Sequence, residues 1–157
     1  MTLPIVHHAP DIDRVRANTE PAINERIDRA SQYRLQVQSG ESAAAITQHI
    51  AKFDREWDVE RLVELESSTM GLTGLVLSVL ISPKFLFLPG VVSTMVLLHA
   101  VQGWYPLLPI FRRLGLRSQN EIDRERFGMK ALRGDLATIP SGEAVERARA
   151  AWQAVSL

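Results

Sequence analysis

The run from Ser67 to Phe111, SSTMGLTGLVLSVLISPKFLFLPGVVSTMVLLHAVQGWYPLLPIF, decides how this chain is built. The whole sequence is 23% charged, so these residues should hold about ten charges if charge were evenly spread; they hold one, Lys84. On insertion scales a central Lys, Arg or Asp costs roughly 2.5–3.5 kcal/mol while each Leu, Ile, Phe or Val returns only a few tenths, so purging charge is what a bilayer demands.

Ser82-Pro83-Lys84 divides the run, because proline ends a helix and pushes the preceding residue toward extended backbone. Two helices follow from that, about 67–82 and 85–105, each apolar around its whole circumference. The first is short: fifteen uncharged residues rise roughly 22 Å, against about 30 Å of hydrocarbon. A start near Arg61, with Glu64 and Glu66 reaching toward headgroups, would make up the difference; otherwise the segment dips into one leaflet without crossing. The expected fold is all-α: a two-helix transmembrane hairpin flanked by amphipathic cytoplasmic helices.

Outward from the insert, basic residues crowd one side. Arg112, Arg113, Arg117, Arg124, Arg126 and Lys130 follow it, Lys52, Arg55 and Arg61 precede it, and the turn has Lys84 alone, so both termini are expected in the cytoplasm. Trp104, Tyr105, Arg112 and Arg113 are placed at the membrane interface, where amphipathic aromatics and basic anchors belong, with Pro106 and Pro109 stopping the helix. Before the insert, Ile23, Ile27, Ala30, Tyr33 and Val37 mark an amphipathic helix from Glu20 to about Gln38, closed by Gly40. Ser42 caps a second that carries Ile46, Ile50, Phe53 and Trp57 and runs on through Leu62 and Val63, the two forming an antiparallel pair. After the insert, Ser118-Gln119-Asn120-Glu121 matches a capping box for a helix with Ile122, Met129 and Leu132 that ends at Gly134. Pro140 and Ser141 open a last helix whose Val145, Ala148, Trp152 and Val155 make a short heptad seam suited to packing on a partner helix or on another copy. The organisation is thus a flexible 1–19, a helical 20–66, the insert 67–111 and a helical 112–157.

Candidate chemistry is sparse. Ser67, Gly71, Gly74 and Ser78 put small side chains on one helix face where another helix can approach closely, within the hairpin or between copies. His99 is a candidate intramembrane polar site, or simply a hydrogen-bond partner of Ser78 or Thr73. Asp54 and Asp58, a helical turn apart, could hold a cation but are interleaved with Arg55 and Arg61 and read as a solvated face; His7 and His8 are two histidines in a loose terminus. The absence of cysteine removes thiolate and disulfide chemistry, the balanced charge argues against nucleic acid, and Met1 to Asp13 has no apolar core of a signal peptide. No phosphate-binding glycine loop or catalytic triad pattern is present, so the chain reads as a non-enzyme without cofactor or metal.

From Ser67 to Leu116 the order of features is a two-segment hairpin, Gly103-Trp104-Tyr105-Pro106 at its exit, Leu107-Leu108, then Arg113-Leu114-Gly115. This resembles the YgaP-like transmembrane domain, a small bacterial inner-membrane family of unknown function sometimes fused behind a rhodanese domain. Family members often have cysteine where this chain has Tyr105, so the resemblance implies membrane placement without sulfur chemistry. The expected function is that of a small inner-membrane anchor, scaffold or self-associating module whose partners are lipids and a membrane protein or second copy. The alternative is a soluble or peripheral helical protein that uses the apolar pair as an oligomer core or lipid-binding surface.

Overall fold

In the computed structural model, which describes residues 13–138 and 143–156, eight α-helices and two 3-10 turns account for the secondary structure. The readings placed on His7, His8, Pro140 and Ser141 lie outside the described residues. The only bridge among the described residues is an isolated parallel pairing of Asp58 with Arg117. The chain divides into two units by contact, one from 13–24 with 58–118 and one from Glu25–Trp57 with 119–138 and 143–156. Each unit therefore draws on both sides of the insert, where the sequence suggests consecutive blocks.

The first unit opens with α1 (Arg14–Ala17), which exists because the Asp13 carboxylate accepts from the backbone N–H groups of Val15 at 2.9 Å and Arg16 at 3.2 Å. Asp13, Val15 and Arg16 are buried, so this part of the expected loose terminus belongs to the core. The first turn of α2 (Pro21–Gln38) follows. Next in this unit, α4 (Val59–Leu80) is capped by the Asp58 carboxylate on the Arg61 N–H at 2.6 Å, while the Val59 N–H donates to the Arg117 carbonyl at 2.9 Å.

Ser82 is extended, Pro83 opens a 3-10 turn at Pro83–Leu86, and α5 (Phe87–Gln102) continues from it. Gly103, at φ 78°, ends α5 with its N–H on the His99 carbonyl at 2.8 Å; a Cβ there would also run into the Arg14 backbone. Only glycine meets both demands. Pro106 thus follows a helix already closed, and Pro109 sits in the first turn of α6 (Leu108–Arg113), opening a helix where the sequence suggests a stop. The core of this unit is Val15, Val59, Val63, Tyr105, Leu108 and Phe111.

The second unit contains the rest of α2, α3 (Ala43–Phe53), α7 (Gln119–Arg133), a 3-10 turn and α8 (Ala144–Ser156). Ser42 caps α3 as expected, accepting from the Ala45 N–H at 3.3 Å. The helix does not continue through Trp57: it ends at Phe53, and α4 starts afresh after Asp58. Asp54 and Asp58 consequently belong to different elements, with Asp54 paired to Arg126 at 3.1 Å. The main partner of α3 is α7 rather than α2, through Ile46, Ile50 and Phe53 against Ile122 and Met129.

Helix α2 turns a different face inward from the one its apolar residues suggest. Ile27, Leu35 and Gln38 are buried or half-buried, while Tyr33 and Val37 are exposed. Leu35 seats against Gly128, where a Cβ would come within 2.9 Å of its Cδ2. Arg34 donates through Nε at 2.7 Å and Nη2 at 2.6 Å to the two oxygens of the buried Glu125 carboxylate. Gly40 has no left-handed backbone; Gly134, at φ 94°, does close α7 as expected.

Candidate functional site

A long exposed apolar surface lies on α4 and α5. Both helices are long and apolar enough to cross a membrane, taking the 3-10 turn with α5, yet only 17% and 6% of their most apolar stretches are buried. Val79 is 84% exposed and Phe87 76%, and Leu72, Leu75, Val76, Leu80, Ile81, Leu86, Leu97 and Val101 are exposed as well. A core helix of a globular domain buries one stripe at least this apolar; here the stripe lies outward over most of the length.

The two helices contact each other along the small-residue face. Ser67 and Gly74 are buried and Gly71, Leu77 and Ser78 half-buried, while the other residues between them are exposed. The approach is closest at Gly74, where a Cβ would fall 2.5 Å from Pro89 Cδ and 3.0 Å from Leu88 Cβ. Gly71 faces open space by the same measure. The stripe therefore serves contact within the chain at Gly74 and leaves Gly71 unused there.

Hydroxyls on these helices bond to their own backbone. Thr69, Thr73 and Ser78 donate to the carbonyls of Leu65, Thr69 and Leu75, each at 2.7 Å, Thr94 to that of Gly90 at 2.9 Å, and Ser67 to that of Glu64 at 3.2 Å. A hydroxyl satisfied this way needs no partner outside its own helix.

A polar collar closes the end of the pair nearest the unit's core. The Tyr105 hydroxyl donates to the Glu66 carboxylate, tying the segment after α5 to α4. Burial, then that hydrogen bond, then the carboxylate charge all hold the Tyr105 hydroxyl protonated well above the ordinary tyrosine range. The Arg14 guanidinium donates to the Ala100 carbonyl, and the Asn18 amide to that of Gln102 at 2.7 Å, so α1 supplies partners for the last carbonyls of α5. His99 stands edge-on to Tyr105, with ring centroids 5.9 Å apart and planes at 73°, and its Nδ1 is buried without a hydrogen-bond partner. Its expected partners Ser78 and Thr73 are committed to their own helix.

Of the four residues expected at a membrane interface, Trp104 and Arg113 are exposed and Tyr105 and Arg112 are not. Tyr105 is 2% exposed and belongs to the core; Arg112 is fully buried, donating to the Leu116 carbonyl at 3.0 Å and Asn24 Oδ1 at 2.8 Å. Arg117 and Lys130, counted among the flanking basic residues, are buried too. Lys130 donates to the Val155 carbonyl at 2.9 Å. These cations hold loops and helix ends together, a use that counting charge along a sequence does not reveal.

Sequence reasoning missed the parts played by Asp13, Arg14, Asn18 and Glu66. The visible signal was Asp13 at a suitable N-cap distance before Val15 and Arg16. Among the described residues no three His, Asp or Glu side chains gather to hold a metal ion. Comparison with protein-family models, with curated proteins and with solved structures finds no match to this chain.

Proposed function

We propose that α4 and α5 form a transmembrane hairpin that anchors the chain in a bacterial inner membrane, with Ser82 to Lys84 at the far side and both termini in the cytoplasm. The observation that carries this reading is the outward apolar surface of both helices, too large and too continuous to face water. The self-bonded hydroxyls and the carbonyl partners supplied by Arg14 and Asn18 support it. The order of features shared with the YgaP-like transmembrane domain runs the same way. On this reading the protein is an anchor or scaffold without enzymatic activity, and its partners are lipids together with a membrane protein or a second copy; nucleic acid is not among them.

The exposed row of Val145, Trp152 and Val155 on α8 favours self-association as the accompanying role. A soluble oligomer whose copies cover α4 and α5 is the competing reading, resting on the same exposed surface. Alkaline carbonate extraction of membranes carrying the full chain separates the two. Retention in the pellet until detergent is added is the expected result. Release by carbonate as a discrete oligomer would replace the anchor with an oligomer core.

A further inference from the structure

The collar end of the hairpin has an outward side that the crossing helices do not account for. Gly74 faces Leu88 and Pro89, so at equal rise along the antiparallel pair Leu97 stands level with about Leu65 and Gln102 with about Glu60. The uncharged stretch from Lys84 to Gln102 belongs to a span that rises about 30 Å at roughly 1.5 Å per residue, matching an ordinary hydrocarbon core. Its lower limit and the carboxylates Glu60, Glu64 and Glu66 bracket the cytoplasmic boundary within the first turns of α4. The chain after α5 folds back onto those same turns. Gly103 reverses it, the Tyr105 hydroxyl reaches Glu66, and Leu108 and Phe111 of α6 share a core with Val59 and Val63. Val59 to Glu66 rises about 10 Å, close to the roughly 5–8 Å of one headgroup layer, so α6 is held at the boundary. Its outward side is apolar: Leu114 is 74% exposed, Ile110 one turn before it is exposed, and so are Trp104 and, at the same level, Leu65, Leu97 and Val101.

We propose that α6 lies in the plane of the cytoplasmic leaflet, with Trp104, Ile110 and Leu114 seated in phospholipid where acyl chains meet headgroups. The proposal rests on the membrane reading above and adds a lipid contact outside the crossing helices. Two observations choose lipid as the occupant. The exposed side chains continue the outward surface of α5 through Leu97 and Val101, and a few side chains are too small a patch for a stable protein interface, which takes roughly 20–30 residues a side. Sequence put Tyr105 and Arg112 at this surface; both turn inward, and Ile110 and Leu114 face outward in their place.

The chain has no cysteine, so Leu114→Cys on α6's outward side, Val76→Cys on α4 and Gln48→Cys on α3 each carry a single nitroxide spin label at an exposed position. The full chain is placed in vesicles of phosphatidylethanolamine and phosphatidylglycerol. Collisions with oxygen, which concentrates among acyl chains, and with a nickel chelate, which stays in water, then read the depth of each label. The oxygen-to-nickel ratio at Leu114 is expected several-fold above that at Gln48 and below that at Val76. A Leu114 label matching Gln48 while Val76 stays deep would overturn the α6 contact and leave the hairpin in the membrane. Loss of both oxygen and nickel collisions at Leu114 would overturn it in favour of a protein covering this face. Nickel collisions at Val76 as frequent as at Gln48 would remove the membrane reading itself.

Discussion

Tyr105 shows what a single buried hydroxyl does here. Its ring fills the core of the first unit while its O–H satisfies a carboxylate at the edge of an apolar surface, so Tyr105→Phe keeps the ring and leaves Glu66 without that donor. A loss of about 1–3 kcal/mol is expected, measured by unfolding in detergent. The pH dependence has a definite sign. Because the folded value lies above the unfolded value of about 10, the neutral form is favoured by folding. That contribution is present in full below the unfolded value and is lost as pH rises through the folded one. Alkaline absorbance titration of the two tyrosines should therefore show a late component in the native protein that Tyr105→Phe lacks. If the variant only halves the amplitude and keeps the same midpoint, the environment assigned to Tyr105 is wrong. Sequence placed this residue at an interface because Tyr beside Trp and Arg is common there; nothing in its neighbours announced Glu66, thirty-nine positions away.

Among the helices, periodicity located elements better than it oriented them. The charge-free run, Ser82-Pro83, Ser42 and Gly134 are local signals, and each marks a boundary the structure has. The face of α2 was not legible because its inner side includes Gln38 and is fastened by the Arg34–Glu125 pair, whereas a pattern of apolar residues counts Tyr33 and Val37. The break after Phe53 was masked by Trp57, apolar enough to extend the pattern across a loop. The small-residue stripe was legible as a stripe but not as a division of labour. Gly74→Ala must push Pro89 and Leu88 away from α4, and overpacking of that kind costs about 1–3 kcal/mol. Gly71→Ala meets nothing and gains helix propensity of up to about 1 kcal/mol. Thermal unfolding in detergent should thus move down for the first and stay level or rise for the second. A matched loss at both positions would mean that Gly71 is covered too, by another copy of the chain.

At the scale of the molecule, the arrangement of basic residues makes topology readable by a protease. Between Arg61 and Arg112 the only tryptic site is Lys84, because the insert holds no other Lys or Arg. Lys84 is exposed in the turn of an isolated molecule, whereas Arg112 is fully buried. In a water-soluble monomer trypsin should therefore cut at Lys84 early and separate α4 from α5. In a membrane-anchored chain with both termini in the cytoplasm, the outcome depends on the side from which the enzyme arrives. Trypsin added to inside-out vesicles meets the cytoplasmic segments and should degrade them while sparing a fragment bounded by Arg61 and Arg112 or Arg113. Added to right-side-out spheroplasts it meets only the turn, and should leave the chain whole or nick it once at Lys84. Detergent should then expose every site and remove the fragment. A Lys84 cut in inside-out vesicles without detergent would place the turn on the same side as the termini. Counting charges cannot supply this test alone, since Arg112, Arg117 and Lys130 are spent on internal contacts; what gives it power is that the apolar helices kept one lysine, and kept it at their turn.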